Sequence, residues 1–131
     1  MLANSHKFLR TAIIYLRSYS REKLNLYSLE EQEKVIRDYA SQNGYRILKI
    51  FREDNVSAKT FNRPAFLEML GYIKLNPWKI KFVIVMDMSR LSTDPSGSQR
   101  LIQFFRKNGI KMISLTQWML KTPQKTTKMV S

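Results

Sequence analysis

The sequence predicts an α/β fold: a three-layer domain with a mainly parallel sheet of about four to five strands and helices on both faces. Three observations carry this expectation. Short β-rich apolar runs alternate with amphipathic helical segments, the loops between them are short, and one run, "IKFVIVMDM" at 80–88, is almost continuously apolar. A strand of that kind is buried on both faces and belongs at the centre of a parallel sheet. At 131 residues the chain suits a single domain, 1–131, with a real core.

Each element follows from its local pattern. "TAIIYLR" (11–17) is too short and too β-branched for a helix and turns polar at once, so it reads as the first strand. "SLEEQEKVIRDYASQNG" (28–44) reads as a helix: Ser28 and Glu31 form a capping box, Leu29, Val35, Ile36 and Tyr39 supply the inner face, and Gly44 stops it. "YRILKIF" (45–51) is a second strand, followed by a polar loop over 52–62. Asn62 is placed to cap the next helix, with Pro64 in its first turn and Phe66, Met69, Leu70 and Ile73 at i, i+3, i+4 and i+7. After the turn "LNPWK" comes the central strand, 80–88. Asp94 and Pro95 then open a helix carrying Leu101, Ile102, Phe104 and Phe105, which ends at Asn108 and Gly109. "IKMISL" (110–115) is a fourth strand, and 118–131 form a basic tail.

Composition narrows the function. Twenty-three Lys and Arg against ten Asp and Glu give a net charge of +13, which points to a polyanionic partner. No acidic residue follows Asp94, so the C-terminal third is a candidate phosphate-facing surface, with Lys121, Lys125 and Lys128 as candidate DNA contacts. The absence of cysteine excludes disulfides and thiolate chemistry and suits a reducing cytoplasm. His6 is the single histidine, which argues against a Ser/His/Asp site and a multi-histidine metal site. The four glycines, at 44, 71, 97 and 109, cannot build a Gly-rich phosphate loop. A receiver-like domain would need an acidic cluster after the first strand, where this chain has Arg17, Ser18 and Tyr19. No metal, no small-molecule cofactor and no membrane segment are expected, and the location expected is cytoplasmic.

In open parallel sheets ligands bind beyond the carboxyl ends of the strands. That edge carries 17–20, 54–63, 87–93 and 116–117, so Arg17, Arg63 and Arg90 share one predicted rim with the hydroxyls of Ser18, Tyr19 and Ser20. A guanidinium grips a phosphate with two parallel hydrogen bonds and stabilises charge growing on phosphoryl oxygens. Asp54 and Asp87 are placed to orient the arginines or handle protons. The bland alternative is that these are strand-end surface residues and that Asp54 merely begins a turn.

Four motifs in order now bear on the choice. Tyr15-Leu16-Arg17-Ser18-Tyr19 resembles a strand ending Tyr-x-Arg-x-Ser, and "SLEEQ" (28–32) a Ser-Leu-x-x-Gln helix start. "EDNVSAKTFNRPAF" resembles an Asp-x-x-Ser-Gly loop leading to an Arg-Pro helix start. "FVIVMDMSRLST" resembles an apolar strand followed by Asp-Arg-Leu-Ser-Arg, and "GIKMISLTQ" the strand after it. Together, over 11–117, they resemble the catalytic domain of the serine recombinases, the resolvase and invertase family with its large integrase relatives. The resemblance implies site-specific DNA recombination: a serine attacks a DNA phosphodiester, arginines stabilise the transition state without metal, and strands exchange within a tetramer. It implies that Arg17, Arg63 and Arg90 meet the scissile phosphate and that Tyr15, Gln32 and Asp54 surround it.

The departures are equally specific. Tyr19 stands in the nucleophile slot, flanked by Ser18 and Ser20; Ser89 stands for an Asp, Thr93 for the last Arg, and Ala58 for the loop Gly. On a continuing strand Asp87 would share a face with Ser89. The family's domain continues from the segment matching Thr122 and Pro123 into a long dimerisation helix and a DNA-binding domain, so DNA is the expected partner and a homodimer or tetramer the expected assembly of a full-length protein. Three readings stay open: a recombination domain of serine type, a non-catalytic DNA-binding or assembly module on the same fold, and an unrelated flavodoxin-like binding domain.

Overall fold

The computed structural model describes residues 10–19, 27–58 and 62–116. Its elements are β1 (Thr11–Arg17), α1 (Leu29–Gln42), β2 (Arg46–Glu53), α2 (Pro64–Leu75), β3 (Phe82–Val85), a 3-10 turn (Met88–Arg90), α3 (Pro95–Lys107) and β4 (Lys111–Ser114). The described strands form one four-stranded sheet in the order β2-β1-β3-β4, and every pairing is parallel. This is the three-layer architecture that the alternating pattern predicts.

β1 lies between two partners and all seven of its residues are buried, as its unbroken apolar run requires. Its side chains alternate between the sheet's two faces. Ile13 and Tyr15 join Phe51, Met69, Ile73, Val83 and Phe105 under α2 and α3, while Ala12, Ile14 and Leu16 join Leu29, Ile36 and Ile84 under α1. The capping box of α1 is present in full: the Ser28 hydroxyl accepts from Glu31 N, and Glu31 accepts from Ser28 N. Among the described residues no helix is long and apolar enough to cross a membrane.

Three expectations need correction. β2 does not stop at Phe51 before a polar loop: Arg52 and Glu53 continue it, paired with Leu16 and Arg17 of β1. The third strand is Phe82–Val85, not 80–88, because the Asp87 carboxylate accepts from Ser89 N and so draws the chain out of the ladder into the 3-10 turn. Asp87 and Ser89 therefore share no strand face, although the Ser89 hydroxyl still donates to Asp87 Oδ1. Asn62 does not cap α2. Arg63 holds the N-cap position with no side-chain cap of its own, and Glu53 from the end of β2 takes over that task.

Candidate functional site

β1 ends on Arg17, β3 delivers Arg90 through the 3-10 turn, and the start of α2 delivers Arg63, so three elements converge beyond the carboxyl end of the sheet. All three arginines are buried, with Arg17 fully so. Burial of guanidinium groups is costly unless their N–H donors are met. Here the donors are met chiefly by backbone. Arg17 Nε donates to Arg90 O at 3.0 Å, Nη1 to Val56 O at 2.8 Å and Nη2 to Ser89 O at 2.8 Å. Arg90 Nη1 returns a bond to Arg17 O at 3.0 Å, and its Nε lies 3.4 Å from Asp87 Oδ2. Arg63 Nη1 donates to Leu91 O at 2.9 Å, and Nη2 to Arg90 O at 3.1 Å and to the Tyr15 hydroxyl at 2.9 Å. The Arg63 guanidinium also lies 4.0 Å from the centre of the Phe66 ring.

Carboxylates complete the cluster. Buried Glu53 accepts from the Tyr15 hydroxyl at 2.9 Å, from Phe66 N at 2.9 Å and from Ala65 N at 3.0 Å. One side chain thus supplies the negative end that the α2 N-terminus favours and, through Tyr15, ties it to Arg63. Burial pushes the Tyr15 hydroxyl well above the usual tyrosine range, against the opposing pull of Arg63. Three guanidiniums face two carboxylates, Glu53 and Asp87, which leaves an excess of positive charge within the cluster itself.

The residues singled out from sequence divide into groups. Arg17, Arg63, Arg90, Tyr15 and Asp87 are brought together, and Gln32 joins them by donating to Arg17 O at 2.9 Å. Asp54 does not touch the arginines; it accepts from the Ser18 hydroxyl at 3.1 Å, while Ser18 Oγ itself accepts from Asn55 N at 3.1 Å. The Ser18 side chain therefore pins the chain after β1 to the loop after β2. Tyr19 is half-buried just beyond it. Ser20, Lys121, Lys125 and Lys128 lie outside the described residues. The arginines form no open rim, as the strand order had suggested: they sit beneath it and brace the 89–91 backbone. Glu53 escaped the sequence reading. Its signal was weak but real: it shares a strand face with buried Phe51 and precedes a helix start that has no capping side chain of its own.

Beside the cluster opens a mainly apolar cleft of about 430 Å³, lined by Phe66, Leu67, Leu70 and Phe104 and carrying Arg63 and Arg100 among its polar residues. Arg63 Nε is buried and has no hydrogen-bond partner among the described residues. Arg63 lines this cleft, and exposed Arg100 stands at its side.

The comparisons with known proteins agree with this geometry. Residues 12–131 match the family model described as "Resolvase, N terminal domain". The N-terminal catalytic domain of TP901-1 integrase is similar in structure, with a TM-score of 0.73 and 25% identity over 82% of this chain and 78% of that one. A resolvase family site-specific recombinase from Streptococcus pneumoniae gives 0.70 and 24% over 82% and 73%. A serine recombinase from Sulfolobus solfataricus gives 0.62 and 20% over 80% and 67%. No curated protein matches the chain by sequence. A family match across nearly the whole chain, on a parallel sheet that gathers Arg17, Arg63 and Arg90 at one end, leads to one conclusion: the chain belongs to the resolvase N-terminal domain family.

Proposed function

We propose that this domain serves site-specific DNA recombination by holding a DNA phosphate beside Arg63 and Arg100, and that it does not cut DNA through its own Ser18. The carrying observation is the commitment of Ser18 Oγ to Asp54 and to Asn55 N. This bonding holds the Ser18 side chain against the loop after β2, and it is Tyr19, not Ser18, that stands where the family has its serine. The arginine cluster supports phosphate recognition, because its three guanidiniums outnumber its two carboxylates and Arg63 lines a cleft together with exposed Arg100. On this reading the domain works on DNA in the cytoplasm, within an assembly of several copies.

The test is covalent trapping on a pool of nicked duplexes of random sequence, with and without detergent denaturation. The expected result is salt-sensitive binding with no detergent-stable protein–DNA species. A detergent-stable adduct that disappears in Ser18→Ala, Tyr19→Phe or Ser20→Ala would overturn the non-cutting reading and name the attacking residue.

A further inference from the structure

At the opposite end of the sheet, where the strands begin, the surface has a different character. The chain here comprises Arg10, the α1–β2 turn at 43–45, the α2–β3 turn at 76–81 and the α3–β4 turn at 108–110. No Asp or Glu occurs in any of these, nor anywhere in 69–86 or 95–131. Lys74, Lys79, Arg106, Lys107 and Lys111 are all exposed here. Within this basic field Trp78 is 70% exposed. It is held there by backbone rather than by burial. Its φ is +68°, and its six-membered ring lies over Gly109, where a Cβ would come within 3.2 Å of Cζ3. A side chain at 109 would press the indole back by a few tenths of an ångström and would be strained at the Gly109 φ of +72°. Next to this turn a cleft of about 650 Å³ is lined by apolar Ile102, Phe105 and Met112, with Lys81 and Arg106 among its basic lining residues.

An indole seated on a glycine, a base-sized apolar cleft and a carboxylate-free ring of ammonium and guanidinium groups are what an unpaired nucleotide strand requires. The cations track its phosphates, and the aromatic ring and apolar cleft receive its bases. We infer that this end of the domain is a second nucleic-acid site, specific for single strands and separate from the arginine cluster. A second copy of this chain is the poorer occupant of this face, since the same carboxylate-free lysines and arginines would meet across it. A duplex is poorer too, because its bases present no free face to Trp78.

The test uses the full chain with Trp118→Phe, which leaves Trp78 as the sole tryptophan. Titration with an oligothymidylate of roughly twelve nucleotides should quench its fluorescence to saturation. Trp78→Ala should weaken binding about tenfold as read by anisotropy, whereas Trp78→Phe, which keeps a stacking ring, should stay within about threefold of the parent. Lys79→Gln combined with Arg106→Gln should flatten the slope of log affinity against log salt by roughly 0.7 for each phosphate that is no longer neutralised. Unquenched fluorescence, equal binding by Trp78→Ala, or equal quenching by a duplex or by polyglutamate would overturn the inference. The trapping experiment reads the other end of the sheet, so either proposal can fail alone.

Discussion

Both ends of the sheet hold basic side chains and use them in opposite ways. At the carboxyl end, Arg17, Arg63 and Arg90 are buried and donate mainly to the carbonyls of Arg17, Val56, Ser89, Arg90 and Leu91. At the amino end, Lys74, Lys79, Arg106, Lys107 and Lys111 are exposed, with no carboxylate in the neighbouring turns. Charge of the first kind shapes the fold and presents only an edge to a ligand. Charge of the second kind is available to any polyanion. Counting basic residues cannot tell the two apart, since what separates them is whether backbone acceptors reach them first.

The contrast can be broken most severely at Glu53. Glu53→Gln removes the charge that answers Arg63 and turns a donor toward the N–H groups of Ala65 or Phe66. A loss of about 3 kcal/mol in unfolding free energy is expected by urea denaturation. Tyr15→Phe is a milder cut at the same place: it deletes the hydroxyl between Glu53 and Arg63, for a loss of about 1–2 kcal/mol. It also sharpens the pH dependence. Tyr15 is held neutral in the folded state above its ordinary value of 10, by burial first, and Tyr39 is likewise pushed up to about 12 by burial. Below pH 10 neither group loses a proton in either state, so neither affects stability. Above pH 10 the unfolded chain releases these protons first, so stability falls as pH climbs past 10. In Tyr15→Phe that fall should be shallower, as read by urea denaturation at a series of pH values from 8 to about 11. The smallest effect is expected at Ser28→Ala, which removes half of the capping box of α1, for about 1 kcal/mol and no change in single-strand binding at the amino end of the sheet.

Much of this was legible from sequence because it rests on periodicity. β1, β4, the apolar part of β2 and all three helices follow from apolar spacing, although Asn62 is not the cap of α2 and β2 runs on to Glu53, and strand order alone placed Arg17, Arg63 and Arg90 together. The inward turn of those guanidiniums was not legible. Their acceptors are main-chain carbonyls at 56 and 89–91, which carry no side-chain signature, and they become available because Asp87 pulls the chain off β3. Glu53 was missed for a related reason: its partners are two backbone N–H groups and a tyrosine 38 residues earlier. Adjacent Asp54 looked the better candidate only because polar loops draw the eye. Exposure also hid the other end, since Trp78 between Pro77 and Lys79 reads as a turn residue until Gly109 is found beneath it.

The most direct test is hydrogen exchange of arginine side chains, followed by NMR on Nε–H resonances in the free protein. The Nε–H of Arg17, buried and bonded to Arg90 O, should persist long after that of exposed Arg106 has exchanged into deuterated water. Loss of both signals at the same rate would mean that the carboxyl-end arginines are as free as those at the amino end, and the distinction between bracing charge and available charge would fail.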